Sequence, residues 1–487
     1  MNQLFAGCDG NSRPAFSCFR FLRLFGFVSD FGFRISVLSL GLPASARRAR
    51  PLSSPQSTHL THLTNLTCCI SLGLLCFASS THAAPRHVYL TWQGHTSTTI
   101  TVNYQTMEET ETSAVYYDTK PRHGKFGDYR FHATGTRHKI EGLDDGRTIH
   151  WVELTRLKPD QTYYFVAGDP QLGFTAERKF QTIPDGHQTF RFVVGGDMVT
   201  GPMLPAFLQQ AARHEPKFAA VGGDIAYAND RLTNYTRWDA WLDAWQQGMV
   251  TPKGFTVPMV LAIGNHDAHG FGSSPTNAVF YFGYFAQQHD RSYFSRKFGK
   301  NVVLYLLDSG HLVPHGPEQA AWLDGQLEAD RKFPHHFAVY HVPLYPGNRL
   351  YEGAPSAAGR KAWLPVFDRH HLTTAFEHHD HVFKRTKLLR SNQPDPNGTL
   401  YLGDGGWGAG ARTVGKVLRW YEEKAASVQH FWLVDVSRAR VEYRAINKEG
   451  QIFDVYPPDA KGAEAAEKVF QSLPRPPPPP VITPTAK

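Results

Sequence analysis

Apolar and polar positions change their period near residue 190. Upstream, between about 86 and 183, apolar residues alternate with polar ones in short runs at 87–92, 98–105, 113–118, 150–157, 162–168 and 177–183. Within 98–105, Ile100, Val102 and Tyr104 fall on one face and Thr99, Thr101 and Asn103 on the other. A period of two marks a strand with unlike faces. Several such strands at close spacing predict an all-β sandwich.

Downstream, the apolar runs are continuous and end in Gly, Asp, Asn or His. They lie at 191–197, 218–224, 258–267, 301–310 and 335–343. Continuous runs belong to strands buried on both faces. Helical patterns lie between them at 205–213, 238–247 and 318–331, the last with Ala321, Leu323 and Leu327 among Asp324, Glu328 and Asp330. Strand–helix alternation predicts an α/β domain over 189–456. A last pair of apolar runs closes the sheet near Tyr456, and 457–487, with Pro474-Arg475 and the proline run 476–480, reads as an extended tail.

A chain of 487 residues calls for two domains plus tails. With 41% hydrophobic and 13% aromatic residues it can fill both cores. The net charge of +8 is concentrated at the start: residues 1–83 hold seven Arg and two acidic residues, leaving about +3 for the rest. No basic run stands out there, so nucleic-acid binding is not indicated. The cysteines, Cys8, Cys18, Cys68, Cys69 and Cys76, all precede residue 84. The two domains therefore contain neither a disulfide nor a thiolate metal site.

The apolar stretch 66–77 has the length of a signal h-region and is short for a membrane span. Thr81-His82-Ala83 offers small residues where a signal peptidase tests them. A secreted or periplasmic protein cleaved after Ala83 is expected, with no membrane span in the mature chain. The segment upstream, 1–60, has no clear period and reads as disordered or as a start placed too early.

Five short motifs carry the candidate chemistry, each after an apolar run. They are Asp197 in GGDM, Asp224 and Tyr227 in GDIAY, Asn265 in GNHD, His341 in YHVPLY, and His379 and His381 in EHHDH. Carboxylate, phenolate, amide oxygen and imidazole are all metal ligands. In α/β domains sites form beyond the carboxyl ends of strands, where all seven fall. Two ions ~3.5–4 Å apart clamp a phosphoryl group and stabilise both attacking and leaving oxygens. That arrangement needs a bridging carboxylate, for which Asp224 is the natural choice. Tyr227, three residues on, is expected about one helical turn away. His379 and His381, if extended, project from one face toward different ions, with His378 and Asp380 behind them.

In these motifs the chain resembles the purple acid phosphatases of the calcineurin-like metallophosphoesterase superfamily, over about 86–456. The resemblance implies a fibronectin type III-like sandwich at 86–183, with Tyr163 as its tyrosine corner, and a metallophosphoesterase domain at 189–456. It implies iron(III) on Asp197, Tyr227, His381 and one arm of Asp224. It places a divalent iron, zinc or manganese on the other arm of Asp224, Asn265, His341 and His379. Three positions depart from the family pattern: Met198-Val199 after the first Asp, Asp267 for the usual Glu, and Glu377-His378 where a Gly is usual.

The expected activity is hydrolysis of small phosphate monoesters, with a metal-activated hydroxide as nucleophile. His266 is expected to protonate the leaving oxygen and Asp267 to orient it. His269, His311 and His315 read as solvated loop histidines, with outer substrate contacts as the alternative. A phosphodiesterase or nucleotidase on the same scaffold, and an inactive secreted binding protein, stand as alternatives.

Overall fold

The computed structural model describes residues 85–288, 291–403 and 405–476. The expected signal stretch 66–77, the cleavage point after Ala83 and the tail beyond 476 lie outside the described residues. Among the described residues no helix is long and apolar enough to cross a membrane.

The first domain is a sandwich. One sheet orders Arg86–Thr91, Ile100–Thr106, Thr148–Leu154 and Thr136–His138; the other is built around Ala114–Asp118 and Thr162–Asp169. Ile100, Val102 and Tyr104 are buried, as their alternation predicts, but so are Thr101 and Asn103. Their face packs on the second domain: Ala286 N–H donates to Asn103 Oδ1 at 3.4 Å, and Thr91 Oγ1 beside it donates to Ala286 O at 2.6 Å. Tyr163 closes the corner, its hydroxyl accepting Lys158 N–H at 2.9 Å.

The second domain stacks two sheets between helices. One sheet orders Met259–Leu261, Ala219–Val221, Phe190–Gly195, His430–Val436, Val441–Asn447 and Ile452–Tyr456. The other runs from Phe294–Phe298 through Val302–Leu306, His335–Val339, Thr374–Phe376, Leu400–Gly403 and Phe383–Thr386 to Glu422–Ala426. Phe192 and Val194 face inward, and Phe192 meets Phe337 and Phe376 of the facing sheet at 5.9 and 6.4 Å. Val193, one residue on, faces the opposite way, into the helix layer of Leu204–Ala212 and Tyr235–Gly248. Val303, Tyr305 and Ala338 do the same toward Pro317–Ala329 and Ala354–His370. Both faces of each central strand are therefore dry, which is why their sequences are continuous apolar runs.

Each sheet contains a run of parallel strands, Met259–Leu261, Ala219–Val221 and Phe190–Gly195 in one and Val302–Leu306, His335–Val339, Thr374–Phe376 and Leu400–Gly403 in the other. Their carboxyl ends gather at one edge of the stack, and the loops that follow carry the five motifs. The chain does not leave the fold at 456, as expected from composition. A further helix, Ala463–Phe470, follows, and Phe470 is buried against Phe383 at 5.9 Å. About two turns of amphipathic helix beside a proline run are too short to show a period.

Candidate metal centre

Each candidate ligand follows a parallel strand by two to six residues, with His379 and His381 on one loop. Two sets of donors result. In the first, His381 Nε2 lies 2.9 Å from Asp197 Oδ1, and the Tyr227 hydroxyl lies 3.3 Å from Asp197 Oδ1 and 3.1 Å from His381 Nε2. In the second, His341 Nε2 lies 3.2 Å from Asp224 Oδ2, 3.2 Å from Asn265 Oδ1 and 3.0 Å from His379 Nδ1. Donor atoms of Asp224, His341 and His379 all fall within 4.8 Å of one another. The sets adjoin, because His379 N–H donates to Asp197 Oδ2 at 2.9 Å.

The loops reach this arrangement through left-handed backbone. Asp197, Asp224, Tyr227, His379 and His381 have φ of 55°, 52°, 57°, 76° and 54°. Such angles are uncommon outside glycine and cost on the order of 1–3 kcal/mol each. Two local expectations are corrected by them. Asp224 and Tyr227 are not one helical turn apart; the segment between them is an irregular loop. The pair His379 and His381 is not a strand face either, for the chain bends at both residues.

Close packing holds the loops in place. His378, behind the ligands, donates from Nδ1 to Tyr340 O at 2.8 Å. It lies against Gly222, where an added Cβ would sit 1.9 Å from the imidazole. Asp380 accepts the N–H groups of Asn348 and Arg349 at 2.7 and 3.0 Å. Glu377 is wholly buried and accepts from Tyr340 hydroxyl, Leu344 N–H and Lys384 ammonium at 2.7, 2.6 and 2.6 Å. His341 donates from Nδ1 to Gly222 O at 3.0 Å, which turns Nε2 toward the other donors.

The buried charges are balanced against one another. Burial pushes Asp197 up, but His381 and His341 hold it well below the usual carboxylate range. Burial pushes His341 down, but Asp224 and Asp197 outweigh it and raise it to about 9. Burial, with His341 beside it, pushes His379 far down, so its ring is neutral. Burial, Asp197 and Asp224 push the Tyr227 phenol up. Carboxylates and imidazoles crowded into a dry site, with oxygen and nitrogen but no sulfur, form a donor set that fits iron, zinc or manganese.

His266 and Asp267 part company. His266 is partly exposed, stacks on Tyr227 with ring centres 4.4 Å apart, and has Nε2 3.8 Å from Asp224 Oδ2. Its Nδ1 donates to Asn229 Oδ1. The expectation that Asp267 orients it is corrected. Asp267 spends its carboxylate on the backbone N–H groups of Asp224, Ile225 and Gly264 at 2.8, 2.9 and 2.9 Å. Asn229, two residues beyond the GDIAY motif on the same loop, is the partner that sequence reasoning missed. His311 and His315 are likewise not solvated: His311 is fully buried, and His315 packs on Trp363 at 4.7 Å. His269 is exposed.

Residues 85–182 match the family model of the purple acid phosphatase N-terminal domain, and residues 175–383 that of the calcineurin-like phosphoesterases. The chain belongs to the purple acid phosphatase family. It is 27% identical to purple acid phosphatase 21 of Arabidopsis thaliana, over 66% of this chain and 70% of that one. It is 24% identical to a phosphoenolpyruvate phosphatase of Allium cepa, again over 66% and 70%. A purple acid phosphatase from yellow lupin seeds has the same fold, with a TM-score of 0.67 at 19% identity, covering 77% of this chain and 74% of that one. As a member of this family the chain is a phosphoesterase hydrolase, and the family implies a dimetal centre.

Proposed function

We propose that the protein hydrolyses phosphate monoesters at a two-metal site made of Asp197, Asp224, Tyr227, Asn265, His341, His379 and His381. The observation that carries this is the division of the donors into two adjoining sets, each mixing oxygen with imidazole nitrogen. Asp197, Tyr227 and His381, with Asp224, would hold iron(III); Asn265, His341 and His379, with Asp224, would hold divalent iron, zinc or manganese. Two such ions, when bound, supply a nucleophile at low pH and absorb the charge of the phosphoryl oxygens.

The protein's own groups do the rest. Asp267 fixes the backbone on which Asp224 turns, and His378 and Asp380 fix the loop of His379 and His381. His266 protonates the departing oxygen as the imidazolium. Asn229 accepts its Nδ1–H, so Nε2 carries the proton that moves. In both protonation states Nδ1–H stays on Asn229, and the ring therefore keeps its orientation through the transfer. We further propose that the chain is exported, with cleavage after Ala83, as the apolar stretch 66–77 suggests.

The test joins metal analysis to a choice of substrates. Purified protein should hold about two ions per chain and hydrolyse 4-nitrophenyl phosphate in preference to bis(4-nitrophenyl) phosphate. Faster hydrolysis of the bis-ester would instead establish a phosphodiesterase.

A further inference from the structure

Beside the proposed centre the surface opens into a cavity of about 390 Å³, lined by Asn229, Arg231, Asn265, His266 and His269 among others. The inference drawn from it rests on the phosphate-ester reading and names a class of substrate for it. If His266 protonates the departing oxygen, the departing group must lie on the His266 side, and this is the cavity there.

Arg231 is the one fixed charge among the lining side chains, and none of them is a carboxylate. Asp230, which separates Asn229 from Arg231, turns inward: it is 7% exposed and accepts Phe280 N–H at 3.4 Å. Arg231 itself is exposed, and its guanidinium makes no hydrogen bond or ion pair among the described residues. Three arginines elsewhere around the centre, Arg349, Arg360 and Arg419, are spent on the fold. Arg349 binds Asp380 and His379 O, Arg360 binds Leu344 O and Tyr351 O, and Arg419 binds Pro346 O and Asn348 O.

The backbone under Arg231 is held firmly. Its N–H donates to Ala228 O at 3.1 Å, and its carbonyl accepts Asn234 N–H at 2.8 Å. Asn229 N–H, two residues earlier, donates to His266 O at 2.9 Å, which ties this loop to the loop of His266. His269 Nε2 lies 3.4 Å from Asp230 O, so this ring is held at the same turn. The result is an uncommitted guanidinium on a fixed loop, in a cavity without a counter-charge. A guanidinium so placed suits the flat, two-oxygen face of a carboxylate or phosphate.

We propose that Arg231 binds a second anionic group on the departing half of the substrate, so that the preferred esters are those whose alcohol itself carries a carboxylate or phosphate. Arg231 is then a specificity residue: it selects the ester and leaves the phosphoryl chemistry to the centre.

Two aryl esters matched in shape separate the charge from everything else: 3-carboxyphenyl phosphate and 3-carbamoylphenyl phosphate. The wild type should favour the carboxylate ester in kcat/KM by about tenfold at low ionic strength. Added salt should shrink the preference. Arg231→Gln should bring the ratio to about one, with the loss in KM, as expected for binding felt equally by ground and transition states. Arg231→Lys should keep part of the preference, because a point charge remains without the planar fork. An unchanged ratio in Arg231→Gln overturns the proposal. Equal losses on both esters also overturn it, since they mark a structural role. A wild type that hydrolyses neither ester overturns the phosphate-ester reading itself, and this proposal with it.

Discussion

At the scale of the residue, the donor sets separate groups that hold metal from groups that move protons. Tyr227 reaches only the first set, through Asp197 and His381. With iron(III) bound, its phenolate should give a broad visible band. Tyr227→Phe should bleach it while most of the metal stays, and a colourless wild type carrying two zinc ions would refute the iron assignment. Asn265→Ala removes a neutral oxygen from the second set. It should lower occupancy there and activity together, with partial recovery in excess divalent metal. His266→Ala should leave metal content intact and cut turnover by ~10²–10⁴-fold, most for esters with poor leaving groups, which need the proton. Asn229→Ala, which frees Nδ1 of His266, should resemble a milder His266→Ala. Loss of metal from His266→Ala, or equal slowing of good and poor leaving groups, would show that His266 only packs its loop.

At the scale of the element, strand ends were legible and loop paths were not. Apolar runs such as 191–197 and 218–224 end in glycine and a ligand because a buried strand must stop before a charged side chain can face the site. The path of the loop then depends on contacts between distant segments, which no local pattern encodes. Gly222 shows this. Its neighbour is His378, over 150 residues away, whose ring fills the space a Cβ would take. Gly222→Ala should therefore destabilise the protein by about 1–3 kcal/mol in denaturant unfolding, by overpacking. It should also loosen metal binding, because His378 adjoins His379. Adding His378→Gly, the residue usual in this family, should relieve part of the loss. If Gly222→Ala unfolds like the wild type, the ring moves aside freely and the packing argument fails. Other gaps have plainer causes. The strand Phe131–Thr134 is largely exposed and so has no alternation to read. The helix Ala354–His370 contains Pro365, a residue that argues against helix in any local reading. The misassignment of Asp267 was of the same kind, since its partners are backbone groups, which leave no mark on the pattern of side chains.

At the scale of the molecule, the two domains share a core and should unfold together. Trp92 of the sandwich packs edge-on against Phe218 and Phe298, and Arg147 of the sandwich binds Asp239 at 2.7 Å and Tyr284 hydroxyl at 2.7 Å in the second domain. A proton taken up in either domain therefore counts against the whole. His150 is fully buried in the sandwich, stacked on Tyr104 at 4.4 Å, with Thr106 Oγ1 and Ser113 Oγ on its nitrogens at 3.0 and 2.8 Å. Burial, with Arg137 adding to it and Asp169 opposing, pushes it down from 6.5 to about 4. His430, buried in the second domain among Phe383, Trp432 and Phe453, is pushed down to about 4 by burial as well. The unfolded chain protonates such a histidine near 6.5, whereas the fold refuses the proton until about 4. Between these values the unfolded state binds more protons, so stability rises with pH. The contribution of each histidine is complete above 6.5, is lost as the pH falls toward 4, and changes no further below that. Each is worth on the order of 3 kcal/mol. Denaturant midpoints of metal-free protein should therefore fall steadily from pH 6.5 to 4, with one transition seen by tryptophan fluorescence in both domains. His150→Gln should lower stability at pH 7.5 and flatten that slope. A slope unchanged in His150→Gln would mean that this ring is not what opposes the proton. Two separate transitions would mean that the shared core does not couple the domains.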